Sequence, residues 1–451
     1  MTIHAIHEGK APEAAETPKT IMEDEFLNLQ DIVSVKRETA ERSLKQVLSE
    51  MEELIREKKW EDAVAMFHPA DEKLPELAAH GLLVPVREKI GFILGQVKRF
   101  DEAIRELGLA IEAAPDNFLL HSSLAYAAYN SLYAAKNREI FLSGKIRDER
   151  IKLAHRHFEI AQILRPEGVT NFYREGMLFK QLEDKPEKAL PLFEAAVANW
   201  DKLDPAGKEA RHQERKNFIK ALFQLAGTLL KVNRAKEALQ ALKRCLAEDE
   251  QSCHISLLFK YYALGKVNFH LGQFGPARDA LLFAIQCREA GPKDFIFELL
   301  ARTYLALENP AKAMEIIQKV PEKRRRPYYR WTEADVYCAV GDLQGAKNVL
   351  AGSLAHDARS KHKTLIKLAK IEYLLRNFQA SRQHALEAGR FFHEKWGNVY
   401  GDGLFWQALN AFQLNEREAA LNLARELKEL IPYYPKLDRL LQKLEQEELP
   451  I

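Results

Sequence analysis

One spacing pattern constrains this chain more than any other feature: a small residue, a large apolar residue four positions on, and another small or apolar residue three positions after that. It runs from Ala63, Phe67 and Ala70 through Ala103, Leu107 and Ala110 to Ala154, Phe158 and Ala161, each closed five residues on by Pro75, Pro115 or Pro166. It continues at Ala189, Phe193 and Ala196; Ala238, Leu242 and Cys245; Ala277, Leu281 and Ala284; and Ala313, Ile317 and Val320. Weaker copies are Ala346, Leu350 and Ser353; Ser381, Ala385 and Ala388; and Ala419 with Leu423. Residues three and four apart stack on one helix face. The small members let a neighbouring helix come close and the large one fills the space, so each triplet predicts a helix-packing seam.

Upstream of most seams lies a second amphipathic stretch with its own small residue and a bulky one three later, as in Gly91 with Leu94, Gly176 with Phe179, Ala226 with Leu229, Ala301 with Tyr304 and Ala334 with Tyr337. A short turn joins the two stretches, often plugged by an apolar side chain such as Phe100, Phe274, Leu343 or Phe378. Each unit is therefore expected to be a helical hairpin. At 451 residues, 47% hydrophobic and 29% charged, the chain is too long for one ordinary core and too apolar for general disorder, which favours an elongated array of such units.

The order of small residue, turn plug, seam and closing proline resembles the tetratricopeptide repeat. The stretch Val84 to Pro115, with Gly91, Phe100, Ala103, Leu107, Ala110 and Pro115, matches best, and Leu258 to Glu289, with Tyr261, Gly265, Gly272, Phe274, Ala277 and Ala284, nearly as well. The family unit is about 34 residues. Seam markers at 277, 313, 346, 381 and 419 keep close to that step, whereas 63, 103, 154, 189 and 238 are unevenly spread by insertions near 135–150 and 201–216. The resemblance implies an all-α, right-handed superhelical solenoid of about ten hairpins over 26–432. It would be preceded by a flexible acidic tail at 1–25 and closed by a capping helix at 433–451, carrying Leu437, Leu440, Leu441 and Leu444.

It also implies where a partner would sit, since the first helices of such hairpins line a concave groove. The groove residues would be Phe259, Tyr262, Lys266 and Phe269, then Glu298 and Arg302, then Tyr328 and Trp331, then Lys363, Ile366 and Lys370. An aromatic wall with interspersed cations suits an extended or helical peptide. Some family members grip the carboxylate tail of chaperones with a lysine and paired asparagines. Here those asparagine positions hold Glu88 and Phe92, Tyr173 and Met177, and Tyr262 and Lys266, so that clamp is not expected. The densest basic patch is Lys323, Arg324, Arg325 and Arg326 with Arg330, beside Tyr328, Tyr329 and Trp331. It reads either as a contact for an acidic partner or phosphates, or as a solvated turn, and Glu333 and Asp335 close by weaken the nucleic-acid case.

The formal charge of +2 gives no bulk attraction to nucleic acid or anionic membrane. Four cysteines without a CxxC pair fit a reducing compartment. The amino end lacks the basic start and apolar core of a secretory signal, and no stretch approaches about 18 apolar residues, so a cytoplasmic protein without a membrane span is expected. No phosphate loop, GxSxG elbow or HExxH occurs, and His155 and His157, two apart, point to different sides of a helix. No enzyme, metal or cofactor is expected. The expected role is a scaffold or adaptor that binds a protein or peptide and assists complex assembly. A peptide- or ligand-responsive regulator acting through a separate effector chain is the alternative, which leaves a small-molecule ligand open.

Overall fold

The structure, a computed structural model, describes residues 21–289, 291–355 and 357–446, and every regular element among them is helical. Of the expected tail at 1–25, residues 1–20 lie outside the described residues, and a helix already begins at Ile21. The expected cap is described up to 446. The chain divides into two compact units, 1–221 and 222–451.

In the first unit, α1 (Ile21–Arg56) and α2 (Trp60–Phe67) form a hairpin, followed by the short α3 (Ala70–Lys73) and α4 (Pro75–Ala79). The first seam is therefore split between two helices: Pro69 has no amide hydrogen to continue α2, so Phe67 ends that helix and Ala70 starts the next. Hairpins of α5 (Val84–Gln96) with α6 (Phe100–Ala113) and of α7 (Phe118–Lys136) with α8 (Gly144–Leu164) follow. Then α9 (Thr170–Leu178), extended by a π-helical turn over Phe179–Glu183, pairs with α10 (Pro186–Asp201). The insertion near 135–150 both lengthens α7 and α8 and leaves a loop whose Phe141 is 90% exposed. The one near 201–216 folds into α11 (Pro205–Ala210) and the start of α12 (His212–Lys231), the helix in which the unit boundary falls.

In the second unit α13 (Ala235–Glu248) follows the left-handed turn at Asn233, then α14 (Leu257–His270) pairs with α15 (Phe274–Gln286), and α16 (Asp294–Ala306) with α17 (Pro310–Gln318). After a 3-10 turn at Glu322–Arg324 come α18 (Pro327–Ala339) with α19 (Leu343–Leu354), α20 (Lys361–Leu374) with α21 (Phe378–Trp396), and α22 (Gly401–Gln413) with α23 (Arg417–Leu430). The last helix, α24 (Leu437–Gln446), buries Leu437, Leu440 and Leu444 against α22 and α23.

The hairpin of α5 and α6 shows how the sequence sets the geometry. Proline near the start of α5 brings no amide that the first turn would need. The helix ends where Lys98 takes a left-handed φ of 63°, and the Arg99 amide donates back to the Leu94 carbonyl at 2.9 Å. Phe100, the turn plug, is buried at the first position of α6, and Asp101 and Glu102 oppose the positive end of that helix. Where α5 crosses α6, a Cβ on Gly91 would lie 2.5 Å from the Leu107 Cγ, so only glycine allows Leu107 its fully buried seat. Burying such a leucine stabilises by about 1.5–3 kcal/mol. The same fit joins Gly176 to Phe193 in this unit and Gly265 to Leu281 in the other.

All the seam residues from Ala63 to Ala388 are buried. The last seam is shifted by one: α23 buries Ala420, Ala424 and Leu427, not Ala419 and Leu423, which are half-exposed. With two adjacent alanines the helix takes the register that also buries Leu427.

Candidate functional site

Four first helices of the second unit, α14, α16, α18 and α20, present the residues nominated from sequence. On α14, Phe259, Tyr262, Lys266 and Phe269 fall three and four apart, hence on one face. Phe259 is 50% exposed and stacks on Phe295 of α16 at 6.2 Å, while Tyr262 meets the same ring edge-on at 4.6 Å. Phe295 thus joins two of the nominated aromatics, which single-helix spacing could not reveal. Lys266 is exposed.

On α16, the Arg302 guanidinium lies 4.9 Å from the Phe269 ring centre and 3.8 Å from the Glu298 carboxylate. Glu298 accepts a 2.6 Å hydrogen bond from Thr332 of α18, yet burial holds its carboxyl above the usual range. Burial, helped by that carboxylate, pushes the Tyr262 hydroxyl up to about 12, so it stays a neutral donor. On α18, Trp331 donates its indole N–H to Thr364 of α20 at 2.8 Å, and the Lys363 ammonium sits 5.9 Å over the indole. Thr364 in turn donates to Asp357, whose carboxylate also accepts from the Ser360 amide at the start of α20. Ile366 is half-buried and Lys370 exposed on α20, whereas Lys367 pairs with Asp335 at 2.7 Å. Tyr328 is half-buried and packs into the core around Leu299 and Tyr329. The structure therefore joins Tyr262, Phe269, Glu298 and Arg302 into one cluster and Trp331 with Lys363 into another.

The basic patch is largely neutralised within the chain. Arg324 pairs with Asp294 at 2.6 Å, Arg325 with Glu333 at 2.6 Å, and Arg330 with Glu333 at 3.0 Å and Glu322 at 3.1 Å. Glu333 is a buried carboxylate that two arginines compensate, so those arginines hold the turn against α18 and do not offer free charge. Lys323 and Arg326 remain exposed and make no ion pair among the described residues.

The first-helix face of the first unit carries groups that spacing arguments passed over. Tyr126, Tyr129 and Tyr133 of α7 stack in sequence, each pair 6.2 Å apart, and Arg174 of α9 lays its guanidinium 3.8 Å from the Tyr126 ring centre. The sequence signal was the row of tyrosines three and four apart. His155 and His157 do engage different partners: His155 lies 2.8 Å from Glu175 and 2.7 Å from Glu183, and His157 is 2.8 Å from His121. Among the described residues no group of three or more His, Cys, Asp or Glu side chains is placed to hold a metal ion, and no helix is long and apolar enough to cross a membrane.

No family model and no curated relative matches the sequence. Among solved structures the chain is similar to PilW, a widely conserved type IV pilus biogenesis factor, at 16% identity over 49% of this chain and 98% of that one, with a TM-score of 0.40. It is similar to yeast Tom70 at 13% identity over 90% of this chain and 96% of that one, with a TM-score of 0.42. A tetratricopeptide repeat protein from Parabacteroides merdae matches at 13% identity over 64% of this chain and 98% of its own, also with a TM-score of 0.42. Likeness at these levels says nothing of activity or partner. Successive helical hairpins, closed by left-handed turns and packed through small-large-small seams, are what define the architecture here: the chain has a tetratricopeptide-repeat-like helical repeat fold.

Proposed function

We propose that the chain is a non-catalytic scaffold that holds a protein or peptide segment along the first-helix face of its second unit and assists assembly of a larger complex. The observation that carries this reading is the pairing of half-exposed aromatics with cations on adjacent first helices, Phe269 with Arg302 and Trp331 with Lys363. Each aromatic offers apolar area and each cation a charge-assisted hydrogen bond to a passing backbone or carboxylate. Because Thr332 fixes Glu298 and Thr364 fixes Trp331, the face is set before a partner arrives and little ordering entropy is lost on binding.

The test uses the intact chain and a Tyr262→Ala, Trp331→Ala variant, with helical content checked by circular dichroism. A partner captured from the source cell is purified and titrated against both. The reading requires at least about a tenfold loss of affinity in the variant. Equal affinity for both forms removes the second unit's face from the account.

A further inference from the structure

The first unit carries a separate cluster that points to its own ligand. Arg174 stands against Tyr126 at 3.8 Å, and its hydrogen-bond partner is a hydroxyl, Ser122 Oγ, at 3.5 Å. Tyr173 precedes it on α9, and Lys216 and Lys220 lie one turn apart on α12. Lys216 is exposed, while Lys220 and Arg174 are half-buried. Among the described residues none of these three cations forms an ion pair. Arg105, Arg138, Arg147 and Arg156 also make no ion pair among the described residues but are exposed, whereas half-buried arginines of the unit are compensated: Arg87 by Glu106, Arg99 by Glu102, Arg150 by Asp101, and Arg165 and Arg211 by Glu214. The missing acid is therefore local to this face.

The cost of that arrangement is visible. Burial holds the Lys220 ammonium below its ordinary range, and the charges of Lys216 and Arg174 push it further down. Burial likewise lowers Arg174. Around them, burial raises the Tyr173 hydroxyl to about 12 and pushes Tyr129 up as well, so both remain neutral donors. A half-buried guanidinium gains most from a carboxylate, because that pairing supplies two charge-assisted hydrogen bonds where water is scarce.

We propose that this face binds the acidic side chains of an extended peptide, with carboxylates on Arg174, Lys220 and Lys216 and apolar side chains along Tyr126 and Tyr129. It is a second binding site, on the opposite unit from the face described under the proposed function, and does not depend on it. A peptide fits better than single-stranded nucleic acid. The three cations lie on two helices, Arg174 on α9 and Lys216 and Lys220 one turn apart on α12, and do not form a track along which successive phosphates could run.

The experiment titrates the full chain against fluorescein-labelled peptides of about 12 residues, some 40 Å when extended. One peptide alternates glutamate with leucine and phenylalanine, the second has glutamine in place of every glutamate, and oligothymidylate is the third probe. The glutamate peptide is expected to bind, with the glutamine peptide and oligothymidylate each at least about tenfold weaker. Lys216→Glu, at an exposed position, and Arg174→Gln with Lys220→Gln are each expected to weaken it at least about tenfold, while Lys36→Gln with Lys45→Gln, at exposed positions of α1, leaves it unchanged. The proposal is overturned by equal binding of the two peptides, by tighter binding of oligothymidylate, or by an equal loss in the Lys36 and Lys45 variant. Absence of binding up to about 1 mM overturns it too.

Discussion

The Lys260 ammonium lies 3.0 Å from the Asp249 carboxylate with both side chains wholly buried, and it also donates to the Asp249 carbonyl at 3.2 Å. The same carboxylate accepts the His254 and Ile255 amides, so one ion pair pins the start of α14 to the connection that leaves α13. Lys260→Met leaves Asp249 charged and unpaired in the interior and is expected to destabilise the second unit by about 3–5 kcal/mol. Burial raises the Asp249 carboxyl, but those amides and Lys260 outweigh it and hold it below its ordinary value. That stabilisation is present above the unfolded value of about 3.9 and is lost as pH falls through the folded one. Urea unfolding as a function of pH checks both; a Lys260→Met variant with an unchanged midpoint refutes the assignment.

Gly176 is predicted to tolerate no side chain. A Cβ there would come 2.7 Å from the Phe193 ring, which is itself fully buried. Gly176→Ala should cost about 1–3 kcal/mol through overpacking, and Phe193→Leu in the same chain should recover part of it. Thermal melts of the single and double variants decide the matter.

His155 should make the first unit more stable in mild acid than in base. Burial pushes its imidazole down, but Glu175 and Glu183 outweigh burial and hold it above its ordinary value. A raised value means that the contribution is full below about 6.5 and disappears as pH rises through the folded value. His157 acts in the opposite sense, held at about 4 by burial and by His121, so the test is the difference in melting temperature between wild type and His155→Gln. That difference should shrink between pH 6 and pH 9; a constant difference contradicts the pairing.

The four cysteines should react in a fixed order. Cys253 is exposed, whereas Cys245 is fully buried and its thiol is pushed up to about 12, first by burial. A disulfide reagent at neutral pH is expected to label Cys253 first and Cys245 only after unfolding, because the thiolate is the reacting form. Mass mapping of partially labelled protein reads the order directly.

Arg376, between α20 and α21, has a φ of 60° and no ion pair among the described residues. Arg376→Gly relieves a left-handed strain of roughly 1–2 kcal/mol and loses about 0.5–1 to chain entropy, so a small net rise in melting temperature is expected. Arg376→Val should lower it.

How much of this was readable beforehand follows from how local each feature is. Seams such as Ala277, Leu281 and Ala284 are written within two turns of one helix, so their burial was legible. The split at Pro69 was a proline signal that the seam pattern overrode, and Ala420 was hidden because its neighbour Ala419 satisfies the same spacing. The groove stripe on α14 was legible for the same local reason, but the partners that hold it, Phe295, Thr332 and Thr364, come from the next helix along. The basic patch looked free because Asp294, which neutralises Arg324, lies 30 residues away, and Glu333 turns inward. The cluster at Arg174 draws on α7, α9 and α12, a convergence that no single-helix periodicity carries.

The left-handed residues Lys58, Lys98, Gly272, Glu308, Gly341, Arg376 and Asn415 each sit between the two helices of a hairpin, and the amide that follows reaches back over the same number of bonds, as Arg99 does to Leu94 and Asn377 to Glu372. Adding or deleting one residue there would rotate the second helix by about 100° and carry its apolar stripe into water. Evolutionary changes of length are thereby steered into stretches such as 137–143 and 201–211. There the polypeptide can grow without turning any interior surface outward, and any newly acquired contact would arise at those sites.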